Sequence, residues 1–155
     1  MPKRIVDNAN VTVDSSVDEL LAKLHNIIPK ILTEWGMLGE REAKKRCAVD
    51  TGRLHNSITW AISGQPAAIS SYSGDRAGKD GRPPQSGKYS GTAPDDPSNK
   101  LSVYIGTNVK YGKFVEFGSS RYKNTGPRPY LKPAITDNIG EFKKILQDYL
   151  DSLTY

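Results

Sequence analysis

The feature that most constrains the fold is an apolar stripe near the start of the chain. Large apolar side chains recur every three or four positions, at Val17, Leu20, Leu21, Leu24, Ile27, Ile28, Ile31, Leu32, Trp35 and Leu38. That spacing places them on one face of a helix. Ser16 and Glu19 match a capping box at its start, and residues 40–48 again favour helix. The sequence therefore predicts one long helix from about residue 16 to residue 47.

Three residues interrupt this helical pattern. Pro29 lacks a backbone N–H and its ring clashes with the preceding turn, so it should kink or divide the helix. Gly36 and Gly39 should weaken the turns that follow, because glycine is a poor helix former. We therefore expect the long helix to be bent.

A second apolar stripe closes the chain. Its members recur at spacings of four and three, and they are Ile135, Ile139, Phe142, Leu146, Tyr149 and Leu153. Such a stripe is typical of an amphipathic helix. Pro133 suits the first position of that helix, where a missing N–H does no harm. The sequence therefore predicts a C-terminal helix that begins at Pro133.

Between the helices, two segments show the alternation of a strand. Apolar residues alternate with small or polar ones over residues 58–62 and again over residues 101–105. The simplest arrangement pairs these strands as an antiparallel hairpin, and a further short edge strand is expected at residues 11–13. The 155 residues are thus predicted to form a single α+β domain, with a long bent N-terminal helix and a C-terminal helix packed on a small antiparallel sheet.

Residues 63–100 separate the two strands and differ from the rest of the chain in composition. Nearly half of them are Gly, Pro or Ser, and their only large apolar residues are Ile69, Tyr72 and Tyr89. This composition offers too little apolar surface to offset the entropy of ordering. We expect a long flexible hairpin insertion, which is either a mobile loop or an arm that becomes ordered on a partner.

A proline-rich connector precedes the C-terminal helix. Its prolines push the residues before them toward extended geometry, and they are Pro127, Pro129 and Pro133. Residues 126–132 should therefore form a stiff extended segment, anchored to the core by Tyr130 and Leu131. The stretch before the connector, residues 111–117, fits either a helical turn or a strand, and Gly118 ends it.

Charge and cysteine content exclude several classes of protein. The formal net charge is +5, and the basic run Lys44–Lys45–Arg46 is either a solvated helix face or a phosphate site. The single cysteine, Cys47, excludes an internal disulfide and a multi-cysteine zinc site, and it fits synthesis in a reducing compartment. No apolar run is long enough to span a membrane, and we expect no secretory signal.

The sequence contains few candidates for a catalytic nucleophile or for a metal ligand. Cys47 with His25 or His55 lacks the sequence signature of a nucleophile–base pair. The two histidines are thirty positions apart and form no metal-binding motif. His25 is expected at the surface or its boundary, and His55 is expected to cap or to hydrogen-bond locally.

Asp50 and Glu116 are the carboxylates that a catalytic pair would need, but nothing in the sequence places them together. Asp50 or Thr51 is expected to cap the short helical turn that follows. Glu116 has aromatic neighbours, so it should find backbone N–H groups or a basic partner such as Arg128 or Arg53. We interpret Glu116 as a structural residue or a member of an intersubunit ion pair rather than as a catalyst.

Residues 49–58 contain the pattern Asp-Thr-Gly-x-Leu-x-x-Ser-Ile, which resembles a signature of small tailed-phage virion-morphogenesis proteins. These are neck or tail-completion proteins of phages with long, non-contractile tails. Residues 105–108, 111–118 and 128–134 are similar to later blocks of the same family. The order of the blocks, with a helix before and a helix after, makes the resemblance specific over most of the chain outside residues 63–100.

The chain departs mildly from the family pattern. Gly112 stands where the family often has Ala, Ser119 where it has Thr, and Tyr130 where it often has Phe, while residues 63–100 are the large departure. The resemblance assigns the motif and assembly residues, which are Asp50, Thr51, Gly52, Leu54, Ser57, Tyr111, Glu116, Phe117, Gly118, Arg128, Pro129, Tyr130, Leu131 and Pro133.

The resemblance implies a structural protein of the head–tail joint, with no reaction and no cofactor, made in the bacterial host cytoplasm and located in the virion. Such proteins commonly work as rings, often hexamers, in which heterologous contacts close around an axis. The implied partners are other copies of the chain, head-completion or connector proteins, and tail-tube or terminator proteins. DNA would make passing contact, and no membrane is involved.

A second hypothesis, from a different class, is a basic nucleic-acid-binding protein. It places the basic run at residues 44–46 on phosphates, together with basic residues of the insertion, which are Arg76, Lys79, Arg82 and Lys88. A steep loss of duplex binding with added salt would favour this second hypothesis, and absence of binding at low salt would remove it.

Overall fold

The computed structural model describes residues 4–6, 12–66, 71–72, 77–78, 80–84, 87–88, 101–120 and 126–153. Its elements, in chain order, are β1 (Arg4–Val6), β2 (Thr12–Asp14), α1 (Ser15–Arg46), α2 (Arg53–Ser57), β3 (Thr59–Ile62), β4 (Ser71–Tyr72), β5 (Gly87–Lys88), β6 (Val103–Gly106), α3 (Gly112–Phe117), α4 (Leu131–Thr136) and α5 (Ile139–Asp151). The long N-terminal helix, the C-terminal helices and the small antiparallel sheet confirm the α+β class.

Helix α1 confirms the long helix that the apolar period predicts. It runs through Pro29 as one helix, so the proline does not divide it. The carbonyl of Pro29 accepts a hydrogen bond from the Thr33 hydroxyl at 2.8 Å. The predicted capping interaction involves the Ser16 side chain, which lies outside the described part of the structure. Among the described residues, no helix is both long enough and apolar enough to cross a membrane.

The predicted antiparallel hairpin is also confirmed. Strands β3 and β6 pair in a register that sets Trp60 opposite Ile105. The short N-terminal strand exists as β2, and it pairs with β1; residue 11, at the start of the predicted strand, lies outside the described residues. Of residues 111–117, which fitted either a helix or a strand, Gly112–Phe117 form helix α3 and Tyr111 is its N-cap.

The sheet of β3 and β6 packs against α1 at the two glycines of the helix, Gly36 and Gly39. A Cβ atom on Gly36 would overlap the Trp60 ring, and one on Gly39 would overlap the Ile105 side chain. The cross-strand pair therefore lies directly against the helix backbone. Glycine lowers the intrinsic stability of these turns, but it permits the close approach that buries the inner face of the sheet.

The insertion contains a small ladder of its own. Strands β4 and β5 are antiparallel, with Tyr72 opposite Gly87, and both lie close to α2. Other parts of residues 63–100 lie outside the described residues. The predicted flexibility of the insertion therefore stays a prediction.

The C-terminal region differs from the single predicted helix. It contains two helices, α4 and α5, because the helical conformation is interrupted at Asp137 and Asn138. In addition, α4 begins at Leu131 rather than at Pro133. The early start is explained by an acceptor for the first backbone N–H groups of α4, described below. At the interruption, the Asn138 side-chain amide donates to the Ala134 carbonyl at 2.9 Å, which closes the end of α4.

Helix α5 crosses α1 through an aromatic contact. The rings of Trp35 and Phe142 meet edge to face, with centroids 6.0 Å apart. The Trp35 indole N–H also donates to the Phe142 carbonyl at 3.0 Å. The Tyr149 hydroxyl donates to the Glu34 carboxylate at 2.6 Å. The helix is therefore anchored by polar bonds as well as by apolar contact, although none of its residues is buried.

The core lies where α1, α2, the sheet and α4 meet. Its largest fully buried side chains are Tyr130 and Ile58, and the other members of the cluster are Ala43, Cys47, Leu54, Val109 and Ala134. Leu131 packs against this cluster. Tyr130 and Leu131 thus anchor the connector to the core as the sequence predicts.

Candidate assembly surface

Glu116 joins α3 to the start of α4. Its carboxylate is buried, and it accepts hydrogen bonds from the backbone N–H groups of Tyr130 at 2.7 Å, Leu131 at 2.9 Å and Lys132 at 2.9 Å. The negative charge also lies at the positive end of α4. Of the partners expected for this side chain, the backbone N–H groups are present, and the described structure shows no ion pair between Glu116 and an arginine.

Gly118 allows the connector to return along α3. It adopts a positive φ of 80°, and a Cβ atom there would lie 3.2 Å from the Pro127 nitrogen. The Arg128 N–H then donates to the Val115 carbonyl at 2.8 Å. Pro129 is exposed on the connector, and Pro133 is half-buried within α4. The connector is therefore held to α3 by backbone hydrogen bonds as well as by proline geometry.

Ser57 links the first motif block to the second. Its hydroxyl donates to the Leu54 carbonyl at 2.8 Å and lies 2.5 Å from the Thr107 hydroxyl. Thr107 in turn accepts from the Val109 N–H at 3.1 Å. The hydroxyl pair fixes the loop after β6. Sequence analysis placed Thr107 in the second block but did not identify it as a partner of Ser57. A serine hydroxyl expected to be buried beside a turn is the signal that could have indicated such a partner.

Gly112 and Tyr130 are two departures from the family pattern, and they touch each other. A Cβ atom on Gly112 would lie 3.0 Å from the Tyr130 hydroxyl oxygen, 2.9 Å from Thr107 and 3.1 Å from Leu54. The extra hydroxyl of tyrosine thus occupies the space that an alanine methyl group would need. Within the described residues, this buried hydroxyl has no hydrogen-bond partner, and burial raises the pKa of Tyr130.

The N-cap position of α2 belongs to Gly52, whose φ of 84° is left-handed, and not to Asp50 or Thr51 as the sequence suggested. Asp50 instead lies 3.2 Å from the Arg82 guanidinium, which belongs to the insertion. Arg82 also pairs with Asp80 at 2.8 Å. The first motif block therefore holds part of the insertion against α2, which sequence reasoning did not find.

Three aromatic side chains of the third block face solvent. Phe117 is 80% exposed, Phe114 is 52% exposed and Tyr111 is 43% exposed. They lie on or beside α3, whose position is fixed by Glu116 and by the connector. Exposed apolar side chains grouped in this way make α3 a candidate interaction surface.

Cys47, His55 and His25, the residues considered for catalysis, lie in three different settings. Burial raises the pKa of the Cys47 thiol to about 11, so it stays protonated at neutral pH. His55 Nδ1 lies 2.6 Å from the Asn56 side-chain oxygen, and His25 is exposed, as the sequence indicated. Within the described residues, no cluster of His, Cys, Asp and Glu is suitable for a metal ion.

The basic run at the end of α1 is paired with carboxylates. Lys44 lies 2.5 Å from Glu40, and Lys45 and Arg46 lie 2.6 Å and 2.9 Å from Glu42. The Lys45 ammonium, followed by the Arg46 guanidinium, lowers the pKa of Glu42 to about 2. The run therefore fits the solvated helix face of the two interpretations, which removes one support of the nucleic-acid hypothesis.

Comparison with known proteins places these features in a family. Residues 12–118 match the family described as Bacteriophage HK97-gp10, putative tail-component. That range contains α1, the sheet and the first three motif blocks, whereas the connector and α4 lie beyond it. No curated protein and no solved structure matches the chain significantly. Since the match covers more than half of the sequence, the chain belongs to the HK97-gp10-like family of phage tail components.

Proposed function

We propose that the protein is a structural component of the head–tail joint, which assembles into a ring and docks to connector and tail proteins. Family membership supports a structural role in the phage tail and a place in the virion. Ring assembly and the position at the joint are the additional steps of the proposal. They predict association without substrate turnover and without a cofactor.

The observation that carries the proposal is the exposure of the first half of α1. Over residues 17–30 no side chain is buried. Val17, Leu20 and Leu21 are 52%, 47% and 49% exposed, although their spacing is that of a core-facing stripe. The described part of the chain therefore leaves the start of this stripe about half exposed, and it covers Leu24, Ile27 and Ile28 only in part.

Packing of an apolar face supplies most of the stability of a helix in a protein. The first half of α1 would therefore gain stability from a partner that covers its apolar face. Helix α1 has 32 residues and is thus about 48 Å long. Its first half therefore extends the apolar stripe away from the core, where a neighbouring copy in a ring would bury it.

Mass measurement in solution tests the proposal. We expect light scattering across a concentration series to show oligomers for the natural sequence. The double substitution Leu20→Glu with Leu21→Glu should yield folded monomers, because it places two charges on the stripe. Ala22→Glu is the matched control, since Ala22 is exposed on the polar side of the same turn, and it should leave the oligomer intact.

Two results would contradict the proposal. One is a natural-sequence protein that stays monomeric at every concentration and binds neither connector nor tail proteins of the same phage. The other is an oligomer that tolerates Leu20→Glu with Leu21→Glu as well as it tolerates Ala22→Glu. Circular dichroism of each variant separates loss of association from loss of the helix.

A further inference from the structure

The net positive charge of the protein is concentrated in one segment. Residues 100–136 contain seven Lys or Arg residues and a single acidic residue, Glu116, whereas the remainder of the chain has a net charge of −1. The mild overall excess of +5 therefore conceals a strongly one-sided distribution. The segment contains the second, third and fourth motif blocks.

The only carboxylate of this segment is unavailable to its cations. Glu116 is buried, and its oxygens accept from three backbone N–H groups. Lys110, Lys113, Arg128 and Lys132 are all exposed, and none of them has a carboxylate partner within the described residues. The basic run of α1, by contrast, is fully paired. These four cations are therefore available to a partner.

Exposed aromatic side chains alternate with these cations along α3. Lys113 lies over the Phe114 ring, with its ammonium 5.1 Å from the ring centroid, while Phe117 projects furthest into solvent. Two shallow hollows of about 440 and 280 Å³ border these rings. We call this surface the aromatic–basic face, and it consists of Lys110, Tyr111, Lys113, Phe114, Phe117, Arg128 and Lys132.

We propose that the aromatic–basic face docks onto an acidic protein surface, one that presents carboxylates around an apolar pocket for Phe117. This deepens the proposed function, on which it rests, by specifying the chemistry of one virion partner. Aromatic side chains and arginine are the usual anchors of protein interfaces, and the unpaired cations supply electrostatic complementarity and steering. Duplex DNA offers phosphates for the lysines, but a phenylalanine inserts between its base pairs only at the cost of unstacking a base step.

A binding titration with defined polymers tests this directly. The probes are a random glutamate–tyrosine copolymer, poly-glutamate, and short duplex and single-stranded oligonucleotides, each at low salt. We expect the natural-sequence protein to bind the copolymer about tenfold more tightly than poly-glutamate, the difference of one aromatic anchor. Both oligonucleotides should bind more weakly than the copolymer.

Three variants identify the residues that determine binding. Phe117→Ala should abolish the preference for the copolymer and leave poly-glutamate binding unchanged. Lys113→Gln with Lys132→Gln should weaken both acidic polymers by about tenfold. Lys144→Gln is the matched control, because Lys144 is an exposed cation on α5, away from the face, and it should weaken each polymer far less than the double substitution does.

Several outcomes would overturn the inference. They are absence of copolymer binding, an undiminished preference in Phe117→Ala, an equal effect of Lys144→Gln, and tighter binding of either oligonucleotide than of the copolymer. The last outcome would assign the face to nucleic acid. Failure here is distinguishable from failure of ring assembly, because the Leu20 and Leu21 substitutions lie on α1 and are assessed by mass.

Discussion

The two halves of α1 share one apolar period but have different surroundings. Residues 31–46 bury Ile31, Leu32, Leu38 and Ala43 against the sheet and the C-terminal helices, whereas residues 17–30 bury none. The difference teaches that the period reports a helix with an apolar face. It does not report whether that face is covered by the same chain or by another one.

The same contrast extends to the rest of the molecule. The closed region comprises residues 31–46, the sheet of β3 and β6, and helices α3 and α4, which the Glu116 carboxylate joins. The open helices are residues 17–30 and α5, which bury no side chain. Matched substitutions in the two regions should therefore change the free energy of unfolding of the isolated protein by very different amounts. The ratio of the two changes measures how strongly the regions differ.

The largest effect is expected from loss of the Glu116 carboxylate. Glu116→Ala leaves three backbone N–H groups at the start of α4 without their acceptor, and each unsatisfied group is costly. We expect a loss of about 3 kcal/mol or more in the free energy of unfolding, measured by urea denaturation. Glu141→Ala, in the first turn of α5, should change it by about 0.5 kcal/mol. Equal effects would remove the distinction between the regions.

Glycine substitutions probe packing in the same way. Gly36→Ala forces the Trp60 ring away from α1 and should destabilise the protein by about 2 kcal/mol. Gly140→Ala, on α5, meets no atom within 4 Å and should stabilise it by about 0.5 kcal/mol, because alanine is the better helix former. Thermal unfolding should therefore shift in opposite directions for the two variants. A stabilising Gly36→Ala would show that the sheet does not lie against this turn.

Ion pairs should follow the same division. Glu42 is nearly buried and its pKa falls from 4.5 to about 2, so it contributes stability above pH 4.5 that is lost as the pH falls toward 2. Glu42→Gln should lower the free energy of unfolding at neutral pH by about 2 kcal/mol, once solvent screening of its exposed partners is considered. Glu19→Gln removes an exposed pair with Lys23, and about 0.3 kcal/mol is expected.

The pH profile provides the control for the ion-pair comparison. The difference in free energy of unfolding between the natural sequence and Glu42→Gln should be constant from neutral pH to about 5. It should shrink between pH 4.5 and 2, because over this interval the carboxylate is protonated in the unfolded chain but still ionised in the folded one. A difference that persists unchanged at pH 2 would assign the effect to packing rather than to charge.

Sequence analysis predicted what local pattern determines. Periods of 3.6 and 2 gave α1, α5 and the β3–β6 pairing, and the isolated apolar pair Tyr130–Leu131 indicated where the connector meets the core. The role of Gly36 was not predicted, because the intrinsic preference of a residue contains no information about a ring that packs on it from 24 positions away. Tertiary contact determined that outcome.

The contacts within the candidate surface were predicted only in part. The aromatic and proline-rich blocks were recognised, and backbone N–H groups were among the expected partners of Glu116. Asp50 was assigned to a cap because its local sequence fits one, yet Gly52 in a left-handed conformation occupies that position and Asp50 pairs with Arg82. A partner 32 positions away, within a segment of loop composition, leaves no local signal.

The smallest effect is expected from Tyr130→Phe. It is the most informative for the comparison, because it tests the energetic coupling between two residues rather than the cost of a single substitution. Tyr130→Phe removes a buried hydroxyl that has no partner within the described residues, so it should be neutral or slightly stabilising. Gly112→Ala should cost about 2 kcal/mol beside tyrosine and about 1 kcal/mol less beside phenylalanine, since the new methyl group meets the hydroxyl oxygen. A double-mutant cycle by urea denaturation measures this difference.

The control pair is Ala22→Gly and Gly140→Ala, both on the open helices, whose effects on the free energy of unfolding should be additive within about 0.3 kcal/mol. Additivity in both pairs would mean that Gly112 and Tyr130 act independently. It would also mean that side chains in the closed region are no more strongly coupled than those on the open helices.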